Sequence, residues 1–143
     1  IEKLEANKGL SENAEMLLIQ GQSYRNIGNY GQAISVLKQY LKTSPKNPLA
    51  NRELGIAYIN QKNWDLAAEA FSKAVINEAA NGINLGWLAY ALEEKGDLVQ
   101  AKEYWEKALA IIEDPEQREK ATRKIASIAK RIKKKKPSED EEN

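Results

Sequence analysis

The chain has 143 residues, 30% of them charged, a formal net charge of +1, and neither cysteine nor histidine. Its apolar and charged fractions are those of an ordinary soluble domain, long enough to bury a core. The two missing residue types exclude disulfides, thiol nucleophiles, histidine bases and nearly all zinc or haem chemistry.

No apolar run is long enough to span a membrane, and no basic-then-apolar signal segment opens the sequence. The small net charge conceals an asymmetry: residues 116–136 hold ten Lys or Arg against two Glu, and the last six residues hold four acids. The compartment is open, with a cytoplasmic one favoured.

Residues 1–13 are predicted to form a helical flank. The run Ile1-Glu2-Lys3-Leu4-Glu5-Ala6-Asn7 reads either as the closing turns of a preceding helix, the remnant of an upstream repeat, or as a helical cap. A start at Ile1 rather than Met points to a trimmed or processed chain.

From residue 14 a pattern recurs every 34 residues: Gly28-Asn29-Tyr30-Gly31-Gln32-Ala33 is echoed by Lys62-Asn63-Trp64-Asp65-Leu66-Ala67 and by Gly96-Asp97-Leu98-Val99-Gln100-Ala101. Units of this size cannot fold alone and bury their apolar faces on their neighbours. Framed as 14–47, 48–81 and 82–115, the units align Leu17, Asn51 and Leu85 at the fourth position. Gln20-Gly21, Leu54-Gly55 and Leu88-Ala89 fill the seventh and eighth, and Tyr24, Tyr58 and Leu92 the eleventh. Ala33, Ala67 and Ala101 stand at the twentieth; Leu37, Phe71 and Trp105 at the twenty-fourth; Tyr40, Ala74 and Ala108 at the twenty-seventh.

Each unit therefore carries two apolar-periodic segments of about 13–14 residues, parted by a Gly/Asn/Asp break. Small residues at the eighth and twentieth positions let paired helices approach closely, and the large twenty-fourth residue fills the adjoining gap. Pro48 suits the first residue of a helix, where its missing N–H costs nothing.

The order Leu-Gly-x-x-Tyr, Ala-x-x-x-Phe and a closing Pro, held here by Leu54-Gly55, Tyr58, Ala67, Phe71 and Pro45, resembles the tetratricopeptide repeat in three tandem copies over residues 14–115. Gln20 and Asn51 depart from it, standing where an apolar residue is usual, and the second and third units lack the closing Pro. The resemblance implies an all-α, right-handed superhelical solenoid of antiparallel helix pairs, and non-catalytic protein–protein recognition. No Gly-rich phosphate loop, nucleophile elbow or metal-ligand cluster argues for an enzyme, and no cofactor is expected. Glu12/Glu15 and Glu93-Glu94 are spaced as helix-surface charges.

In that family the first helix of each unit lines an inner groove through positions 2, 5, 6, 9, 12 and 13. Carried onto this sequence, the resemblance predicts a partner-binding lining of Leu18, Gln22, Leu49, Arg52, Ile56, Asn60, Ile83, Trp87 and Tyr90. Such a surface suits an amphipathic helix or extended apolar peptide, with Arg52 and Asn60 as polar anchors. Repeats that hold acidic chaperone tails resemble one another through a clamp of Lys, Arg and Asn. Here its positions are Leu18, Gln22, Glu53, Ile83 and Trp87, so a tail-binding role is not expected. Two other readings compete: Trp87 and Tyr90 pack between units, or the groove holds a second copy of the chain.

Asp114-Pro115 reads as an N-cap and first-turn proline of a capping helix over 116–136. Its stripe of Ala121, Ile125, Ile128, Ala129 and Ile132 is predicted to cover the open edge of the third unit, leaving a basic outward face. Lys130, Arg131, Lys133, Lys134, Lys135 and Lys136 form a basic patch, Pro137 stops the helix, and 137–143 is an acidic disordered tail. The plain reading of the patch is a solvated helix C-terminus, where cations suit the macrodipole. The alternative is an adaptor that meets nucleic acid or anionic membrane through this helix, although no aromatic residue is interleaved for base stacking.

Overall fold

The 34-residue period reappears as a spacing of helix starts. The computed structural model describes residues 2–135 as seven α-helices: α1 (Glu2–Asn26), α2 (Tyr30–Thr43), α3 (Pro48–Asn60), α4 (Trp64–Asn77), α5 (Gly82–Lys95), α6 (Leu98–Ile111) and α7 (Pro115–Lys135). Residues 30, 64 and 98 open the second helix of each repeat, and 48 and 82 open two of the first helices. Lys136, the stop at Pro137 and the acidic tail lie outside the described residues.

One boundary differs from expectation. The flank and the first helix of the first repeat are one uninterrupted helix, α1, so residues 2–13 extend that helix rather than close another. The only breaker in the stretch is Gly9, and an isolated glycine weakens a helix by about 1 kcal/mol without ending it.

The breaks between helices are short, which within each compact unit makes sequence neighbours pack side by side. Each is closed by the same chemistry. Asn29, Asn63 and Asp97 cap α2, α4 and α6, each side-chain oxygen accepting a backbone N–H three residues on at 3.3 Å. Asn47, Asn81 and Asp114 do the same for α3, α5 and α7, at 2.9, 3.1 and 2.8 Å. The residue directly before the cap of each second helix is left-handed: Gly28, Lys62 and Gly96 have φ of 81°, 57° and 96°. Two repeats place glycine there and the middle one places lysine.

The chain divides into two compact units, Ile1–Ala79 and Ala80–Asn143. The first contains α1–α4 and the second α5–α7. In the first, Ala33, Leu37, Ala67, Phe71 and Ala74 are fully buried. A Cβ placed on Gly21 would come within 2.6 Å of the Leu37 side chain, and one on Gly55 within 2.7 Å of the Phe71 ring. The small eighth residue is thus the seat of the large twenty-fourth.

The second unit solves the same problem differently. Its eighth residue is Ala89 and its twenty-fourth the larger Trp105, whose ring edge lies instead against Gly86, 3.5 Å from where a Cβ would stand. The two departures from the repeat pattern also find their reasons. Gln20 is exposed, so no apolar residue is needed. Asn51 is buried, and its amide nitrogen donates to the carbonyls of Pro45 at 3.1 Å and Asn47 at 3.0 Å, bracing the turn into α3.

Gly55→Ala should cost about 1–2 kcal/mol, because overpacking against Phe71 outweighs the helix-propensity gain of about 1 kcal/mol. Gly86→Ala meets only ordinary contact and should be neutral or stabilising; urea unfolding of both variants checks the difference in sign. Lys62→Gly should stabilise by about 0.5–1 kcal/mol, the relief of left-handed strain exceeding glycine's entropy cost. The matched Gly28→Lys exchange should do the reverse.

Candidate functional site

The residues expected to meet a partner fall on the first helices, and each compact unit presents its own set. In the first unit Leu18 and Gln22 lie on α1, and Leu49, Arg52, Ile56 and Asn60 on α3. All are half-buried except Asn60, which is exposed. The Asn60 amide donates to the Ile56 carbonyl at 2.9 Å, one turn back on its own helix. That bond turns the expected polar anchor toward its own backbone.

Behind these residues an ion pair joins α1 to α3: Arg25 Nε donates to Glu53 Oε2, and the Glu53 side chain is only 6% exposed. A carboxylate so enclosed requires a cation and hydrogen bonds to offset its desolvation. Glu53 is therefore part of the packing between first helices and does not line a surface.

In the second unit Ile83, Trp87 and Tyr90 lie on α5. Ile83 is 63% exposed, whereas Trp87 and Tyr90 are half-buried. Their rings meet edge to face, with centroids 6.3 Å apart and planes at 73°, a geometry favoured by the ring quadrupoles. Trp105 is nearly fully buried in α6, and its indole N–H has no acceptor among the described residues.

Glu93 corrects the sequence reading. Expected as a helix-surface charge, it is 8% exposed and receives two cations from α7: Lys124 Nζ at 3.2 Å and Arg131 Nη1 at 3.1 Å. Lys124 also stands 5.9 Å from the centre of the Tyr90 ring, a cation–π contact. Arg131 therefore belongs partly to this anchor and not wholly to the basic patch. The signal was legible: Lys124 and Arg131 flank the fully buried Ile128 at helical spacings and so share its inward face.

The rest of the predicted basic run, Lys130, Lys133, Lys134 and Lys135, is exposed, and Lys136 lies outside the described residues. Of the apolar stripe, Ala121 and Ile128 are fully buried, and Ile125, Ala129 and Ile132 half-buried. Arg118, which sequence reasoning passed over, donates to the carbonyls of Leu109 at 2.8 Å and Ile112 at 2.7 Å. It thereby satisfies carbonyls at the end of α6 that lack an intrahelical donor.

Among the described residues no three His, Cys, Asp or Glu side chains converge as a metal-binding group, and no helix is long and apolar enough to cross a membrane. Replacing Glu93 by Gln should cost about 1–3 kcal/mol, moderated by the water that Lys124 and Arg131 retain. The loss should concentrate in α7, read as faster amide hydrogen exchange there than in α1–α4.

Two models of the tetratricopeptide repeat match the sequence, over residues 11–83 and 84–115. Among solved structures, the first TPR of Spaghetti (RPAP3), bound to the HSP90 peptide SRMEEVD, is 22% identical with a TM-score of 0.77, covering 86% of this chain and 95% of its own. The type III secretion translocator chaperone SycD of Yersinia enterocolitica is 21% identical with a TM-score of 0.76, over 86% of this chain and 88% of its own. A T3SS complex from Aeromonas hydrophila contains a chain 15% identical with a TM-score of 0.81, over 90% and 89% respectively. A comparison with curated proteins gives no match. At these identities the structures share a fold, the all-α solenoid of helix pairs. The first repeat model alone spans half the sequence, and the chain belongs to the tetratricopeptide repeat family.

Proposed function

We propose that the protein holds an apolar or amphipathic segment of a partner protein against its first helices. The family fold supports the coarser statement, a protein–protein interaction scaffold. The observation that carries the finer one is the fate of two acids on those helices. Glu53 and Glu93 are buried in internal ion pairs, while Leu18, Leu49, Ile56, Ile83, Trp87 and Tyr90 on α1, α3 and α5 keep part of their surface in water. Aromatic and large aliphatic side chains that keep part of their surface in water gain most when a partner completes their burial.

Proteins of similar structure bind in more than one way: one holds an HSP90 peptide and another is a secretion translocator chaperone. For this chain an acidic chaperone tail is the poorer fit. The clamp positions hold Leu18, Gln22, Glu53, Ile83 and Trp87, none of them cationic. Self-association through the same faces is a special case of the reading, with a second copy as the partner.

The competing class, an adaptor that meets phosphate-rich partners through α7, rests on exposed Lys130, Lys133, Lys134 and Lys135. Salt separates the two, since phosphate binding weakens steeply with ionic strength and apolar burial does not.

Affinity capture with the wild-type protein and with a Trp87→Ala/Tyr90→Ala variant of equal helicity and melting temperature tests the proposal. The expected result is a partner retained by the wild type and lost by the variant, each truncation costing about 2 kcal/mol or more if central to the interface. Equal capture by both proteins sinks the assignment of α5, and binding abolished by moderate salt favours the basic helix.

A further inference from the structure

The first compact unit carries a recessed surface walled by second helices rather than first ones. A cleft of about 390 Å³ opens between α2 and α4, with α3 beneath it. Its floor is Leu54, Tyr58, Ala70 and Asn51, all buried, and Leu41, Pro45 and Leu66 line its walls. Asn51 commits its amide nitrogen to the carbonyls of Pro45 and Asn47, which leaves the floor chiefly apolar.

The rim carries lysines on both sides, unopposed on α2 and beside Glu69 on α4. Lys38 and Lys42 stand one turn apart on α2, both exposed and with no ion-pair partner among the described residues. Across the cleft, Lys73 on α4 reaches Glu69 at 3.3 Å in an exposed pair that water weakens. Burial raises the pKa of Tyr58, Glu69 raises it further and Lys73 lowers it, so both rim charges act on the floor.

We propose that this cleft binds an acidic peptide segment of a partner protein, seating one bulky apolar side chain on Leu54 and Leu66 with flanking carboxylates at Lys38, Lys42 and Lys73. The volume lies within the range of real ligand sites and accommodates a Phe or Leu side chain. Cations on two walls match several carboxylates along a strand better than a single anion, and an apolar floor gives a bare phosphate nothing to contact. Nucleic acid finds no exposed aromatic face for stacking here. The site shares no residue with the partner face proposed on α1, α3 and α5, so either can fail alone.

The test is selection of a random dodecapeptide phage library on the full chain, followed by titration of the winning synthetic peptides. The variants are Lys38→Glu/Lys42→Glu and Trp87→Ala/Tyr90→Ala. Lys38 and Lys42 are exposed, so circular dichroism of the charge-reversed variant should match the wild type. The expected winners carry Phe, Trp, Leu or Ile flanked by Asp or Glu. They should lose at least about tenfold in affinity on the charge-reversed variant and nothing on the aromatic one.

Amide shifts induced by a winning peptide in a ¹⁵N-labelled sample should centre on Leu54, Tyr58 and Leu66. Winners without acids, winners that bind the charge-reversed variant equally, or shifts centred on α5 would each overturn the proposal. Leu66→Ser supplies a second arm: it makes one wall polar without altering charge, and unchanged affinity there also rejects the site.

Discussion

Everything in this chain hangs on how closely two helices of a pair can approach. Gly21 under Leu37 and Gly55 under Phe71 leave room for one side chain and no more; a single added carbon would stand well inside van der Waals contact distance of the neighbour. Such interdigitation fixes the separation of the helices and hence the direction of every side chain they carry. Where Ala89 replaces glycine, the larger Trp105 shifts its ring edge toward Gly86, so the second unit keeps its pair through a different pairing of small and large.

Polar chemistry then ties the first helices to one another and to α7. In each compact unit one buried glutamate is met by arginine or lysine from another helix: Arg25 of α1 for Glu53, Lys124 and Arg131 of α7 for Glu93. Apolar packing tolerates sliding more readily than a hydrogen-bonded carboxylate does, so these contacts select a register as much as they add stability. Helix α7 completes the second unit in this sense, supplying Ile128 to the core and two cations to Glu93.

The repeat spacing made the helix boundaries readable, because Asn and Asp caps recur with the period and each leaves a backbone donor satisfied. It also made Ala33, Ala67 and Ala101 readable as core, and all three are fully buried. What periodicity could not supply was the destination of a charge. Glu93 and Glu94 are adjacent and look alike in sequence, yet one is enclosed by α7 and the other exposed. Only a three-dimensional partner separates them. Nor does the period show that the exposed Asn60 amide donates to the Ile56 carbonyl of its own helix. The α2–α4 cleft was invisible for a related reason: Lys38, Lys42 and Lys73 are surface lysines in sequence, and only the packing of α2 and α4 over α3 gathers them round an apolar floor.

The shortness of the capped breaks has a kinetic consequence. Within each compact unit the principal packing joins helices consecutive in the chain, with α1 against α3 as a step of two. Little loop entropy must be surrendered before a native contact forms, which places the chain among topologies that fold quickly for their size. Within each unit a hairpin can also open and reclose as a local event, with a free energy below that of global unfolding.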